Sequence, residues 1–251
     1  MDNFNWKSYI QNYSDLRHLT SRQDALKHYI KFGQKEGRTD QFTYKSHPYY
    51  THQPFLIEIL KNTTGNVLEC GCGYGSTVCI KDNIGDRKLI TLESNKEWLD
   101  KFRSFESENH KLYHIPASND DTLETGQVWV DFIEQNITDD FDIVFIDSSP
   151  WLSRKKLFDY FKDRAKIIII HDFDYFPNNN IIGSVTSKII KGSFTKIGIN
   201  MDSEISNYKL YYPPFEFFAS ETGPPTLVCS NTIDDFNELI NIIDTNLKKY
   251  Y

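Results

Sequence analysis

Two apolar stretches of the chain end in side chains that can hold or transfer a proton. The first runs from Phe141 to Asp147, and the second runs from Ala165 to His171 and is followed by Asp172. If these stretches are neighbouring parallel strands, their carboxyl ends meet at the edge of the sheet where ligands of open α/β sheets bind. One imidazole and two carboxylates would then converge on a single crevice, as groups in proton-transfer sites do. We therefore take Asp147, His171 and Asp172 as candidate catalytic residues.

A glycine-rich segment offers a second kind of chemistry, the binding of a nucleotide. Residues 67–77 read VLECGCGYGST, a short apolar run followed by glycines at alternate positions and then by small hydroxyl residues. This order predicts a strand, a loop that admits a ligand close to the backbone, and a helix whose first N–H groups are unpaired. The dinucleotide fingerprint G-x-G-x-x-G fits poorly, because Ser76 stands at its last glycine. Glu69, just before the first glycine, would face the pyrophosphate of a dinucleotide but suits an ammonium group.

A further carboxylate ends the next apolar run. Residues Lys88 to Glu93 predict a strand, and Glu93 stands 20 residues after Gly73. A carboxylate at such a strand end can accept hydrogen bonds from both hydroxyls of a ribose. Because NAD enzymes share this feature, Glu93 indicates a nucleoside without choosing one.

The segments that must position these residues alternate between strand and helix patterns. The continuous run of isoleucines at 167–170 is typical of a central strand that is covered on both faces. The alternation predicts an α/β fold with a doubly wound parallel sheet, and the last short strands predict an antiparallel hairpin followed by an extra helix. Predicted strands after the glycine loop are Lys88–Glu93, His110–Ile115, Phe141–Asp147, Ala165–His171, Phe194–Asn200, Tyr208–Tyr212, Phe215–Ala219 and Thr226–Ser230; predicted helices there are Asn95–Ser107, Thr122–Asn136, Ser153–Arg164 and one from Thr232.

The glycine segment resembles motif I of class I SAM-dependent methyltransferases, written E/D-x-G-x-G-x-G, with Glu69 as its acid. The resemblance implies a Rossmann-like sheet of seven strands and S-adenosyl-L-methionine (SAM) as cofactor. It also implies that Ser118 and Asn119, after the third strand, contact the adenine amino group. The cofactor-binding residues that it implies are Glu69, Gly71, Cys72, Gly73, Gly75, Ser76, Thr77, Glu93, Ser94, Ser118, Asn119 and Asp147.

The stretch FDIVFIDSSP around Asp147 resembles motif IV of small-molecule O-methyltransferases. It lacks the Asn/Asp-Pro-Pro-Tyr/Phe of enzymes that methylate nucleic-acid bases. The nearest functional resemblance is to Mg²⁺-dependent sugar and small-molecule O-methyltransferases, which implies that Asp147 and Asp172 hold Mg²⁺. Phe173 departs from that pattern, so Asp174 is the candidate third ligand. A metal would acidify an acceptor hydroxyl, whereas an enzyme without metal would use His171 as its base.

Residues 1–40 stand apart as a predicted helical module, ahead of a predicted methyltransferase domain at 41–251. Ser21 can cap a helix in this module. The pattern Tyr-x(3)-Tyr-x-Asp-Leu, then Ala-x-x-His-Tyr-x(3)-Gly-x-x-Glu-Gly-Arg, resembles a module attached to glycosylation enzymes and methyltransferases of giant DNA viruses. That resemblance implies an accessory part, through which oligomers could form. In methyltransferases of this build Tyr50 and His52 would lie near the cofactor mouth, where they are candidate lid residues.

Composition and charge exclude several classes of partner. There are 28 Lys and Arg against 35 Asp and Glu, a net charge of −7, and the basic run at 154–156 is short, so we expect no nucleic-acid partner. The first residues do not resemble a signal peptide, and no apolar run approaches the roughly 20 residues of a membrane span. The four cysteines form no C-x-x-C pair, as expected of reduced thiols. We expect a cytoplasmic protein without membrane partners, located in the host cytoplasm if it is viral.

Together these patterns predict a SAM-dependent O-methyltransferase that acts on a hydroxyl of a sugar or glycan intermediate. One alternative is a methyltransferase of another small molecule. A second keeps the fold but uses NAD or transfers aminopropyl groups. A third is a non-catalytic Rossmann-like binding module whose N-terminal helices recruit partners.

Overall fold

The computed structural model of the protein describes residues 4–16, 18–40, 50–173, 198–211 and 225–247. In this part of the chain seven strands form one sheet, in the order β3-β2-β1-β4-β5-β7-β6. Six strands run parallel, and β7 is antiparallel to both of its neighbours. The strands are β1 (Val67–Cys70), β2 (Leu89–Glu93), β3 (His110–His114), β4 (Ile143–Ile146), β5 (Ile167–His171), β6 (Asn207–Tyr211) and β7 (Thr226–Ser230). The predicted doubly wound sheet with a terminal antiparallel hairpin is confirmed.

Helices cover both faces of this sheet. The α-helices of the described residues are α1 (Trp6–Asn12) and α2 (Arg22–His28) in the N-terminal segment, followed by α3 (Gln53–Asn62), α4 (Thr77–Asn83), α5 (Lys96–Asp100), α6 (Leu123–Asn136), α7 (Trp151–Phe161), α8 (Met201–Glu204) and α9 (Phe236–Leu247). The predicted helix Asn95–Ser107 is wrong in length. It stops at Asp100 because Lys101 and Phe102 bond to carbonyls three residues back, and a 3₁₀ turn at Arg103–Phe105 follows.

The central strands are covered on both faces, as their isoleucine-rich sequences predict. Successive side chains of a strand point to opposite faces. Ile143, Phe145, Ile167 and Ile169 therefore lie in one apolar cluster, with α3 and α9. The alternate positions Val144, Ile146, Ile168 and Ile170 lie in the other cluster, with α6 and α7. Two cores of this kind hold the sheet in place between helices.

The parallel register aligns the strand ends that carry the candidate site residues. Cys70 on β1 pairs with Leu92 on β2 and with Ile146 on β4. Ile146 in turn pairs with Ile170 on β5. The residues that follow these positions therefore gather at one edge of the sheet, which is the carboxyl edge.

Extra helices are present at both ends of the chain. The N-terminal helices have an apolar cluster of their own, made of Phe4, Tyr9, Leu16 and Ala25. The side chain of Ser21 caps α2, as predicted, by accepting from the backbone nitrogen of Asp24. The C-terminal helix α9 lies against α3, where Asn246 donates to Glu58 over 2.8 Å. The separate N-terminal cluster is in keeping with a module at 1–40, although that boundary stays a prediction.

Some predictions fall outside the described residues. These are the strand Phe215–Ala219, residues 194–197 of the strand Phe194–Asn200, and the side chain of Asp174. The described remainder of Phe194–Asn200, residues 198–200, is not a strand. Within the described ranges, no helix combines the length and the apolar character needed to cross a membrane.

Candidate active site

The glycine loop packs directly onto the end of β4. Gly71 follows β1 with a φ of 93°, a backbone conformation that favours glycine. A Cβ at this position would meet the carbonyl oxygen of Asp147 and, at 2.9 Å, the nitrogen of Ser148. Gly71 is therefore required for close contact between the nucleotide-type loop and the strand that carries the candidate catalytic acid.

Glu69 is fully buried among hydroxyl groups. Thr77 donates to both of its carboxylate oxygens over 2.9 and 3.0 Å, and Thr91 on β2 donates over 2.8 Å. The hydroxyl of Thr77 also accepts from the nitrogen of Gly73 at 3.0 Å. Burial raises the pKa of Glu69 to about 8, and the hydroxyl hydrogen bonds only partly offset this rise. Glu69 thus connects the loop to β2, and it does not belong to the pocket lining.

Glu93 holds the loop from the end of β2. One carboxylate oxygen accepts from the backbone nitrogen of Cys72 at 3.0 Å, and the other accepts from the nitrogen of Asn95 at 2.8 Å. A carboxylate oxygen has more than one acceptor position, so both oxygens can accept further hydrogen bonds from a ligand. The predicted ribose contact therefore remains compatible with the position of Glu93 and stays a prediction.

A pocket of about 420 Å³ lies above the loop, a volume within the range of small-molecule sites. Trp98 on α5 forms part of the pocket wall. Its indole nitrogen donates to the carbonyl oxygen of Cys72 at 2.8 Å, and its ring meets that of Tyr74 edge-on. The pocket is lined by Tyr50, His52, Cys72, Gly73, Tyr74, Gly75, Ser76, Trp98, Asp147, His171 and Asp172.

The same pocket brings together the three candidate catalytic residues. Nδ1 of His171 lies 3.2 Å from Oδ2 of Asp147 and 3.5 Å from Oδ1 of Asp172. His171 is 2% exposed, whereas the side chains of Asp147 and Asp172 are 26% and 18% exposed. The side chain of Asp147 is thus the most exposed of the three, and the imidazole of His171 is the most buried.

Arg154 completes this cluster, although the sequence indicated it only as part of a short basic run. Its Nη2 donates to Oδ1 of Asp147 over 3.0 Å and lies 3.7 Å from Oδ2 of Asp172. Its Nε donates to the carbonyl oxygen of Ser148 at 2.9 Å, and Nη1 donates to the carbonyl oxygen of His171. The sequence feature that could have indicated this role is the position of Arg154 in the first turn of the helix that follows β4.

Burial and neighbouring charges set the pKa values in the cluster. Burial alone would lower the pKa of His171, but the charges of Asp172 and Asp147 outweigh it and raise the pKa above its usual value. Burial alone would raise the pKa of Asp147, but His171 and then Arg154 hold it below its usual range. The pKa of Asp172 is raised, by burial first and by the charge of Asp147 among its neighbours. The cluster therefore keeps Asp147 ionised and lets His171 hold a proton more tightly than a free imidazole.

Both candidate lid residues line the pocket. A Cβ on Gly75 would meet the ring of Tyr50 at 2.6 Å, so that ring covers the end of the glycine loop. The ring of His52 is buried, with its centroid 4.3 Å from that of His171. Burial, and then His171, lower the pKa of His52 well below its usual value. Thr51 between them places its hydroxyl 3.4 Å from Nε2 of His171, so this segment also supports the imidazole.

The other predicted contacts lie away from the pocket lining. Ser118 accepts from the backbone nitrogen of Asp120 at 3.2 Å and pairs with Thr125, so it closes an exposed turn after β3. Asn119 is exposed in the same turn. Ser94 donates to a carbonyl oxygen at 3.2 Å in the turn after β4. Contacts from these residues to adenine or ribose stay predictions.

The donor set that the described residues offer does not suit Mg²⁺. Among the described residues, one group could hold a metal: Asp147, His171 and Asp172, whose ligand atoms lie within 4.8 Å of one another. Mg²⁺ demands near-octahedral oxygen ligands, but this group offers a nitrogen in place of a third carboxylate. The guanidinium of Arg154 already lies against both acids, where a metal ion would be repelled. Asp174, the predicted third ligand, lies outside the described residues.

The residues on the loop side of the pocket fit SAM, whereas the acid cluster on the other side does not fit Mg²⁺. A Cβ on Gly73 would have only ordinary contacts, 3.6 Å from Oγ of Ser76 and 3.9 Å from the nitrogen of Gly75. Gly73 therefore leaves its surface open for a ligand to approach the backbone. Glu93 at the far end of the loop keeps acceptor capacity for hydroxyls, and Trp98 offers an aromatic wall.

Comparison with known proteins gives a likeness of fold. No protein-family model matches the chain, and no curated protein matches it in sequence. Similar solved structures include an rRNA methylase from Streptococcus thermophilus, 12% identical over 72% of this chain and 94% of its own, with a TM-score of 0.42. Human methyltransferase-like protein 13 in complex with SAH is 12% identical over 78% of this chain and 89% of its own, with a TM-score of 0.45. The plantazolicin methyltransferase BamL, in complex with a triazolic desmethylPZN analog and SAH, is 14% identical over 98% and 89%, with a TM-score of 0.43.

These likenesses transfer no residue role to this chain, because the identities and scores are low. The strand order and the flanking helices nevertheless match the class I methyltransferase fold.

Proposed function

We propose that this protein is a SAM-dependent O-methyltransferase. The observation that supports the proposal is one pocket of about 420 Å³ shared by two kinds of chemistry. An open glycine loop lines one side, and a cluster of two acids and an imidazole lines the other. Both lie at the carboxyl edge of a doubly wound sheet, where ligands of such sheets bind.

In this proposal the loop side holds the cofactor. The backbone at Gly73 and Gly75, the carboxylate of Glu93 and the ring of Trp98 would hold the nucleoside and the amino-acid part of SAM. When bound, SAM supplies a methyl group on a positively charged sulfur. The protein's main task is then to align the acceptor oxygen with that group and to accept the acceptor's proton.

The acceptor side supplies the group that takes the proton. A hydroxyl that binds against the partly exposed side chain of Asp147 would lie close to the imidazole of His171, because Nδ1 of His171 is 3.2 Å from Oδ2 of Asp147. Asp147 orients the hydroxyl, and the proton passes to the Asp147–His171 pair, with His171 as the stronger base of the two. Thr51 supports the other side of the imidazole.

A sugar or glycan hydroxyl is the proposed acceptor. Its support is the resemblance of the N-terminal segment to a module of viral glycosylation proteins, together with the lack of a nucleic-acid base methylation motif around Asp147. Cytoplasmic location and oligomer formation through the N-terminal helices are part of the same proposal.

Calorimetry tests the cofactor. The protein should bind SAM and its demethylated product, and it should not bind NADH. Gly73→Val should abolish SAM binding without unfolding the protein, because its side chain enters the pocket and its Cβ has ordinary contacts. Gly73→Ala adds a single methyl group and serves as the graded control. A wild-type protein that does not bind SAM, or undiminished affinity in Gly73→Val, would contradict the proposal and favour a binding module.

A mass-shift screen tests the acceptor. Nucleotide-sugars, free glycans and unrelated small hydroxyl compounds are incubated with the protein and SAM, and products heavier by one methyl group are sought. If only compounds that are not sugars are methylated, the protein is a methyltransferase but the proposed sugar acceptor is wrong.

A further inference from the structure

Arg154 occupies a position that determines the charge balance of the pocket. Two acids side by side repel each other unless a proton or a cation lies between them. The structure supplies that cation from within the chain. The Nη2 atom of Arg154 lies 3.0 Å from Asp147 and 3.7 Å from Asp172, so one nitrogen faces both acids.

The guanidinium is held so firmly that it cannot easily move aside. Arg154 is 5% exposed, and its Nε and Nη1 donate to the carbonyl oxygens of Ser148 and His171. These two carbonyls follow β4 and end β5, so Arg154 also connects the two strand ends. The ring of Trp151 lies 4.9 Å from the centre of the guanidinium. Breaking buried ion pairs of this kind is strongly destabilising, which opposes displacement of the guanidinium by an incoming ion.

We propose that Arg154 is a positioning residue that takes the place of a divalent cation, so that the site works without a metal. The inference concerns the site of the proposed methyl transfer, and it rests on that function only for its activity measurement. Guanidinium groups carry a permanent positive charge in proteins. Arg154 therefore holds both carboxylates around His171 in a fixed arrangement that needs no added ion.

Removal of Arg154 should have an effect on metal binding that the loss of a purely structural arginine would not have. If the cation is removed, two carboxylates and an imidazole remain with ligand atoms within 4.8 Å of one another. Carboxylate oxygens suit Mn²⁺, and a neutral imidazole is the commonest metal ligand among side chains. Loss of the guanidinium should therefore create a metal site where the wild-type protein has none.

Mn²⁺ binding, followed by electron paramagnetic resonance and calorimetry, tests this directly. The wild-type protein should show no stoichiometric Mn²⁺ site. Arg154→Met, which keeps most of the apolar stem, should bind one Mn²⁺ at least about tenfold more tightly, because a repelling charge is gone. Adding Asp172→Asn to that variant should remove the new site. Arg164→Met is the matched control, at an exposed arginine in the turn after α7, and should behave as wild type.

Activity gives a second, separate measurement. EDTA and added Mg²⁺ should leave the wild-type rate unchanged, Arg154→Lys should keep part of the rate without metal, and Arg154→Met should lose at least about tenfold and recover partly with Mn²⁺. A stoichiometric Mn²⁺ site in the wild-type protein, or a rate abolished by EDTA, would overturn the proposal even if Arg154→Met does not fold. A folded Arg154→Met that gains no site would overturn it too. If no methyl transfer is found at all, the proposed function fails, but the Mn²⁺ titrations still decide the role of Arg154.

Discussion

The two sides of the pocket stabilise their acids in different ways. On the glycine-loop side, Glu69 is bound by threonine hydroxyls and Glu93 by backbone N–H groups, which are neutral donors. On the side of β4 and β5, Asp147 and Asp172 face Arg154 and His171, which carry or accept positive charge.

The difference indicates which side is prepared for a charged ligand. Neutral donors stabilise a carboxylate but do not cancel its charge, so Glu93 keeps its attraction for a ligand that bears positive charge. The Asp147 side carries its own cation and gains little from another. This difference fits a sulfonium cofactor on the glycine-loop side and a neutral hydroxyl on the side of β4 and β5.

The largest effect is expected at His171, the proton acceptor of the charged side. His171→Ala should reduce the turnover rate by on the order of 10²- to 10⁴-fold while SAM binding persists. His18→Ala, an exposed histidine of the N-terminal helices, is the control and should leave the rate unchanged. Steady-state kinetics measure both.

The pH profile gives the sign of this effect. The neutral imidazole is the active form, so the rate should rise with pH. Because the two carboxylates outweigh burial and raise the pKa of His171, the midpoint should lie above the usual imidazole range. A wild-type profile that falls with rising pH, or a fully active His171→Ala, would break the contrast between the two sides.

The next largest effect is expected at Glu93, on the neutral-donor side. Glu93→Ala removes a charge-assisted contact with the ribose and should weaken SAM binding by roughly 1.5 to 3 kcal/mol. Calorimetry measures the loss of affinity. Circular dichroism checks that the protein stays folded when the backbone nitrogens of Cys72 and Asn95 lose Glu93 as their acceptor. Glu97→Ala on α5, an exposed acid nearby, should bind SAM as wild type does. Equal affinity in Glu93→Ala would remove Glu93 from the site.

A smaller effect on stability is expected at Glu69. Its pKa is raised from 4.5 to about 8, chiefly by burial. Between these values the unfolded chain releases a proton that the folded protein keeps, so stability from this group is full below pH 4.5 and is lost as the pH rises through about 8. Glu69→Gln should flatten this pH dependence. The melting temperature of the variant should therefore increase relative to that of the wild type as the pH rises.

Thermal melts across that range measure the difference, with the exposed Glu134→Gln on α6 as a control. Parallel curves for wild type and Glu69→Gln would mean that Glu69 is ionised inside the folded protein. Its neutral hydroxyl partners would then hold a full charge, and the division between the two sides would need revision.

The smallest effect is expected from removal of residues 1–40. The apolar cluster of the N-terminal helices does not share residues with the two clusters on the sheet. The shortened protein should therefore fold and bind SAM with unchanged affinity. Failure to fold, seen as the loss of a cooperative melting transition, would show that these helices belong to the main core.

The fold and the ends of the strands could be predicted from the sequence, because their signals are local. The isoleucines at 167–170 indicate a strand buried on both faces, and the alternate glycines indicate a loop without Cβ atoms in the way of a ligand. Parallel strands then bring their carboxyl ends together by topology alone. Asp147, His171 and Asp172 were placed at one crevice in this way, and the structure brings them within contact of one another.

The partners of these residues were decided only by the tertiary structure. Arg154 and Trp98 stand on helices, where one residue in a first turn can face solvent, core or pocket with the same local sequence. Their roles follow from their neighbours in the fold. Arg154 lies beside the two acids at the ends of β4 and β5, and Trp98 lies beside the glycine loop. Glu69 likewise accepts a hydrogen bond from Thr91, which belongs to a different strand. A sequence pattern shows which groups are present, but a charge is balanced by whatever the fold places within a few ångströms of it.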